Sequence, residues 1–161
     1  MRNRKQLTRG FGLVEVVVGA AIVATTFVAL ASSFNIFVRA GLQNTAHIQA
    51  AYYAEEGLEA VRYLRDAGWS ANIAVTAITT THYLSFGGVW ALSTTPSTVN
   101  GFTRTVVFND VYRDNDTKDI VAAGGGSSLD GNARKVTVQV SWTGAPSPVR
   151  IETYLTNLFN N

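Results

Sequence analysis

Glu15 has the clearest chemical character in the sequence, because it is an acid within an apolar stretch. From Phe11 to Val38 it is the only charged side chain. An acidic group in a membrane segment costs about 3 kcal/mol at the centre and less near an end, so it marks a functional site by default. Its natural partner is a cation at the same depth in another chain. Cutting the backbone between Gly10 and Phe11 would free an amine that could provide that cation.

A second group of chemical interest consists of Asp114, Asp116 and Asp119, which alternate with other polar residues. Carboxylates at alternating positions resemble the start of a calcium loop. Lys118, however, stands where an oxygen ligand belongs, and the glycine and glutamate that complete such a loop are missing. Asp and Asn are also common in plain turns. A solvated turn is therefore the favoured interpretation, and a calcium site is the alternative.

The sequence contains no arrangement typical of an enzyme. His47 and His82 have neither a second ligand at metal-binding spacing nor a serine in a nucleophile context. Cysteine is absent, which excludes disulfides, thiolate metal sites and cysteine nucleophiles. The glycine-rich segment 124–128 lacks the Lys-Ser/Thr pair of a phosphate loop. We therefore expect neither catalysis nor a cofactor.

The net charge argues against a nucleic-acid partner. The chain has 13 basic and 11 acidic residues, a formal net charge of +2. Without the four basic residues of the first ten positions, nine basic residues face eleven acidic ones, a sum of −2. The charge therefore does not predict nucleic-acid binding. The basic residues of this leader are Arg2, Arg4, Lys5 and Arg9.

A long helix must position Glu15. About 20 apolar residues cross the hydrocarbon core, so 11–38 predicts a transmembrane helix. The basic leader should stay in the cytoplasm, which places residues 39–161 outside. Residues 39–66 predict an amphipathic continuation that ends before Gly68. Its apolar face consists of Ala46, Ala50, Ala54, Gly57, Leu58, Val61 and Leu64. A helix over 11–66 would be roughly 84 Å long, so lipid or other copies must cover its first half.

The rest of the chain predicts a loop over 67–88 and a β-sheet over 89–161. Short apolar runs or alternating patterns indicate four strands. These are Val89–Leu92, Phe102–Val111, Arg134–Trp142 and Val149–Leu158, the last two joined by a hairpin at Gly144–Pro148. The predicted fold class is α+β, with a three- or four-stranded antiparallel meander covered by the helix face at Ala50–Leu64.

Gly10, Phe11 and Glu15, followed by the apolar run, resemble the class III signal of type IV pilins and pseudopilins. This resemblance covers the N-terminal part of the chain, and the rest matches in architecture alone. It implies the pilin fold, a leader at 1–10, cleavage by prepilin peptidase between Gly10 and Phe11, and N-methylation of Phe11. The retained helix would anchor the subunit and then pack in a filament core, where Glu15 pairs with a neighbour's N-terminus. Gly12 departs from the family pattern, in which threonine is commoner.

The sequence thus predicts a minor pilin of a type IV pilus. Segment 54–66 resembles the second helix half of minor pilins. The expected partners are prepilin peptidase, other pilin subunits, the inner membrane and an assembly platform. The expected location is the inner membrane and, after assembly, the pilus at the cell surface. Alternatives are a pseudopilin of type II secretion and a membrane-anchored extracytoplasmic binding domain that never assembles.

Overall fold

The computed structural model describes residues 10 and 12–160. Most of the leader prediction for 1–10, and the Phe11 prediction, lie outside the described residues. The chain divides into two compact units between Asn44 and Thr45. The elements, in chain order, are α1 (Leu13–Ala67), α2 (Trp69–Asn72), β1 (Thr81–Phe86), β2 (Trp90–Ser93), β3 (Thr98–Val99), β4 (Phe102–Asp114), β5 (Ile120–Val121), β6 (Ser127–Trp142) and β7 (Val149–Thr156).

The second half of α1 has one buried face, as its sequence pattern predicts. The buried residues of α1 are Ala50, Ala54, Gly57, Ala60, Val61 and Leu64. The helix ends before Gly68, whose φ of 154° and ψ of 106° favour glycine because it has no Cβ. Trp69 and Ile73 follow and are 2% and 0% exposed, so both belong to the core.

All seven strands belong to one antiparallel sheet. The main path is β2-β1-β4-β6-β7, and β3 and β5 each pair with β4. The two long central strands, β4 and β6, pair from Phe102↔Trp142 to Asp114↔Ser127, with a register shift between Asp110 and Tyr112. The hairpin predicted between β6 and β7 is confirmed, because Val140 pairs with Val149.

The core lies between the inner face of this sheet and the buried face of α1. Alternate residues of β4 and β6 point inward, so their neighbours line the outer face. The inward-facing apolar residues include Phe102, Val106 and Phe108 of β4 and Val136, Val138 and Val140 of β6. Burying each such side chain contributes about 1.5–3 kcal/mol. The predicted α+β arrangement, a long helix packed on an antiparallel sheet, is therefore confirmed.

The strand count and two connections differ from the prediction. The sheet has seven strands rather than three or four. Both β1 and α2 lie within the predicted loop 67–88. Strand β1 buries only His82 and Leu84, and an alternation of two buried residues is too short to be recognised as a strand in the sequence. The simple meander holds for β4, β6 and β7, whereas β1 separates β2 from β4. Strand β3 depends on Asn100-Gly101, with φ of 51° and 83°, in a two-residue hairpin.

Candidate functional site

The first turn of α1 places Glu15 at the N-terminal end of the helix. The Glu15 and Val16 amides donate to the Gly12 carbonyl at 3.0 and 3.2 Å, so the helical ladder starts from Gly12. The amino end of a helix carries a partial positive charge, which favours an acidic side chain there. Glu15 and Gly10 are both exposed. Phe11, the other residue of the predicted cleavage site, lies outside the described residues.

The helix beyond Glu15 is apolar and uncovered. Every residue from Leu13 to Asn44 is exposed, and the helix is long and apolar enough to cross a membrane. The larger apolar side chains here, which are 44–82% exposed, are Leu13, Val14, Val16, Val17, Val18, Ile22, Val23, Phe27, Val28, Leu30, Phe34, Ile36, Phe37, Val38 and Leu42. This surface needs a cover, because water is a poor solvent for it.

Three polar side chains within this stretch donate hydrogen bonds to the backbone of the helix itself. The Thr25 hydroxyl donates to the Ala21 carbonyl and the Thr26 hydroxyl to the Ile22 carbonyl, each at 3.0 Å. The Asn35 amide donates to the carbonyl four residues earlier, also at 3.0 Å. Bonding back to the helix removes the need for water at these groups, so they are compatible with a lipid or protein cover.

The acidic segment predicted as a turn or calcium loop forms a tight turn between β4 and β5. The Asp114 carboxylate accepts bonds from the amides of Asp116 and Thr117 at 2.8 and 2.9 Å. These two backbone bonds are the main causes that lower the Asp114 pKa below its ordinary value. Lys118 adopts a φ of 66°, and its amide donates to the Asp114 carbonyl at 3.1 Å. The Asp114 carboxylate thus caps the turn.

The three acids of this segment do not converge. Among residues 10 and 12–160, no cluster of three or more His, Asp or Glu side chains is placed to hold a metal ion. Asp116 and Asp119 are exposed, and the Asp119 carbonyl accepts from the Asp114 amide at 2.9 Å. The structure therefore gives the calcium interpretation no geometric support.

The two histidines contact aromatic rings. The ring centroids of His47 and Trp142 are 5.4 Å apart, and those of His82 and Phe108 are 5.9 Å apart. His82 is 7% exposed and its Nε2 lies 3.1 Å from the Ala77 carbonyl oxygen. Both histidines are thus used in packing. The aromatic side chain of Tyr52 on α1, in contrast, is 67% exposed.

The sequence did not predict an ion pair between a buried arginine, Arg104, and the half-exposed Glu56. Arg104 lies on the inner face of β4 between Phe102 and Val106 and is 6% exposed. Its Nη1 donates to Glu56 Oε2 at 2.6 Å and to the Tyr53 carbonyl at 3.2 Å. A signal for it existed in the sequence: an arginine occupies an inward position of an otherwise apolar alternation.

Comparison with known proteins gives no relative: no family model, no curated protein and no solved structure matches the chain. Three features of the chain itself therefore bear on its function. They are the Gly10–Glu15 segment, the uncovered first half of α1 and the groups around Arg104.

Proposed function

We propose that this chain is a minor-pilin-like subunit of a type IV pilus-type filament. In this proposal prepilin peptidase cuts between Gly10 and Phe11, and the subunit assembles through its N-terminal helix. The observation that carries the proposal is the exposed, largely apolar stretch Leu13–Asn44 with a single acid, Glu15, in its first turn.

The uncovered helix supports assembly on energetic grounds. Burying apolar surface yields about 25 cal/mol per Å², so side chains as large as Phe27 and Phe34 strongly favour a cover. Lipid provides that cover before assembly, and equivalent helices of other subunits provide it afterwards. Leader, helix and C-terminal unit then take the cytoplasmic, membrane and external positions, respectively.

Glu15 favours a specific partner for the helix, in addition to the non-specific apolar cover. An acid in hydrocarbon is stabilised when a cation reaches it, and a bond between two charged groups is stronger than a neutral one. Cleavage before Phe11 frees an α-amine four residues from Glu15 in the chain. The amine of one subunit can then pair with Glu15 of the next, which sets the axial register between neighbours.

The first test is the mature N-terminus. Mass spectrometry of native protein should find a chain that starts at methylated Phe11, and Gly10→Val should block cutting. An intact leader in wild-type protein, or normal processing of Gly10→Val, would contradict the processing step.

The second test is incorporation into filaments. Glu15→Ala should be cleaved normally but recovered poorly in sheared filaments. Glu55→Ala is a matched control, because Glu55 is an exposed acid on the second half of the same helix. Equal recovery of the two variants would rule out the pairing role of Glu15.

A further inference from the structure

The C-terminal unit places a charged arginine between helix and sheet at a considerable energetic cost. Arg104 is 6% exposed, and its Nε has no hydrogen-bond partner among the described residues. Taking a charge out of water costs several kcal/mol, and an ion pair does not always offset that cost. A well-packed apolar side chain would stabilise this position at least as well. The arginine therefore has another role.

The helix accommodates this arginine by carrying a glycine. A Cβ added at Gly57 would lie 2.8 Å from Arg104 Cδ and 2.9 Å from Val138 Cγ1. Glycine in a helix interior costs about 1 kcal/mol relative to alanine. Two features that each lower stability, a buried charge and a mid-helix glycine, thus occur together where the Arg104 side chain crosses the space between α1 and the sheet.

The Arg104 side chain lines a cavity of about 390 Å³ whose walls include aromatic rings. The Phe86 and Trp90 centroids are 5.1 Å apart, and Phe86 is 64% exposed. Arg104 Cζ lies 5.1 Å from the Trp90 ring centroid. On another wall the Asn100 amide donates to the Tyr53 hydroxyl at 2.8 Å. The rings leave apolar faces available to a ligand.

The ion pair in this cavity keeps unused hydrogen-bonding capacity. Arg104 bonds through Nη1 alone, and Glu56 accepts through Oε2 alone, among the described residues. Besides the buried Nε, the donor nitrogen Nη2 and the acceptor oxygen Oε1 are left over. The Glu56 side chain is 49% exposed, so its free oxygen can reach a ligand.

We infer that this cavity binds a neutral saccharide ring. A hydroxyl can donate to Glu56 Oε1 and a neighbouring hydroxyl can accept from Arg104, because a hydroxyl is both donor and acceptor. The apolar C–H face of the sugar would pack on Phe86 and Trp90. Pockets that bind small molecules combine apolar walls with a few polar groups in this way.

The charge of the site argues for a neutral ligand. Arg104 and Glu56 carry opposite charges and are in contact, so the pair has no net charge to attract an ion. An anion would compete with Glu56 for Arg104, and a cation would compete with Arg104 for Glu56. This inference is independent of filament assembly, since every residue involved lies in the C-terminal unit.

The test uses the full chain in lipid nanodiscs, without sugar-headed detergents. Saturation-transfer NMR would survey methyl glycosides of glucose, galactose, mannose and N-acetylglucosamine, with methyl glucuronide as the charged comparison. We expect saturable binding of at least one neutral glycoside and weaker binding of the glucuronide.

Two variants and one control assign the binding to this cavity. Phe86→Ala and Glu56→Gln should each weaken binding about tenfold or more, through lost stacking and a lost charged acceptor, respectively. Val89→Ala should bind as wild type, because Val89 is 62% exposed at the same β1–β2 turn but does not line the cavity. No saturable binding of any neutral glycoside, preference for the glucuronide, or unchanged binding by both variants would overturn the inference.

Discussion

Gly57 lies where the backbone of α1 comes closest to the sheet, and its missing side chain has measurable consequences. Gly57→Ala places a Cβ 2.8 Å from Arg104 Cδ and 2.9 Å from Val138 Cγ1. Alanine gains about 1 kcal/mol of helix propensity. Overpacking costs typically 1–3 kcal/mol, so we expect a net loss of stability of up to about 2 kcal/mol. Urea unfolding followed by tryptophan fluorescence measures the difference.

Gly41→Ala is the matched control for this substitution. Gly41 is exposed on α1, and no atom lies within 4 Å of a Cβ built there. It should leave the unfolding of the C-terminal unit unchanged. A Gly57→Ala protein more stable than wild type by about 1 kcal/mol would mean that Arg104 and Val138 move aside at no cost, which would contradict close packing at this position.

Asp130 makes the stability of the sheet depend on pH. Arg113 Nε donates to Asp130 Oδ2 at 2.6 Å, and this bond is the main cause that lowers the Asp130 pKa. Because the folded pKa is below the unfolded value of about 3.9, the stabilisation is fully present above pH 4 and is lost as the pH falls through the folded pKa. Asp130→Asn should cost about 1 kcal/mol at neutral pH, and this cost should shrink as the pH falls through the folded pKa.

The measurement for Asp130 is urea unfolding of both proteins from pH 7 to pH 2. Other acids titrate in the same range, notably Glu152, whose pKa is lowered chiefly by its bond with Lys135. The informative quantity is therefore the difference between wild type and variant. A difference that stays constant with pH would contradict the assigned role of the Arg113–Asp130 pair.

The turn between β4 and β5 is held by the Asp114 carboxylate, which binds the backbone of two following residues, Asp116 and Thr117. It accepts from two backbone amides, so Asp114→Ala should lower the melting temperature and Asp114→Asn should lower it less. Asp116→Ala is the control, since the Asp116 side chain is exposed.

Millimolar calcium should leave the wild-type melting temperature unchanged. A ligand that binds only the folded state raises stability in proportion to the logarithm of its concentration above Kd. An increase in melting temperature with calcium, abolished by Asp114→Ala, would instead restore the calcium-loop interpretation.

The elements differ in how much of each could be predicted from the sequence. The helix face from Ala50 to Leu64 and the alternation of β6 and β7 were predictable, because each repeats its pattern over at least two turns or several residue pairs. Strands β1, β3 and β5 were missed because they span two to six residues and depend on pairing with β4.

The candidate site divides in the same way. The Gly10–Glu15 pattern is local in sequence, so the sequence alone is enough to propose a processing signal there, and this stays a prediction. The Arg104 cavity brings together residues from α1, from strands β1 and β2, and from the β3–β4 hairpin. No local pattern connects these segments, and only the tertiary fold puts them at one place. Arg104 on an apolar strand face was the single local sign.

The two units of the chain differ in how they expose apolar residues to water. The C-terminal unit, from Thr45 onward, buries an apolar core between the second half of α1 and the sheet. The first unit exposes every described residue from Leu13 to Asn44. One chain thus combines a part that can be stable in water with a part that requires lipid or protein around it.

This contrast predicts how two forms of the protein behave in solution. A fragment that starts at Thr45 should be soluble and monomeric without detergent, and keep its β-sheet circular dichroism. The full chain should require lipid or detergent, because its exposed apolar side chains include Phe27, Phe34 and Phe37. Size-exclusion chromatography with light scattering gives both masses. If the fragment were monomeric, association of the full chain would be assigned to residues up to Asn44. A fragment that aggregates while folded would instead place the association surface on the C-terminal unit, and the helix would lose its role as the main assembly element.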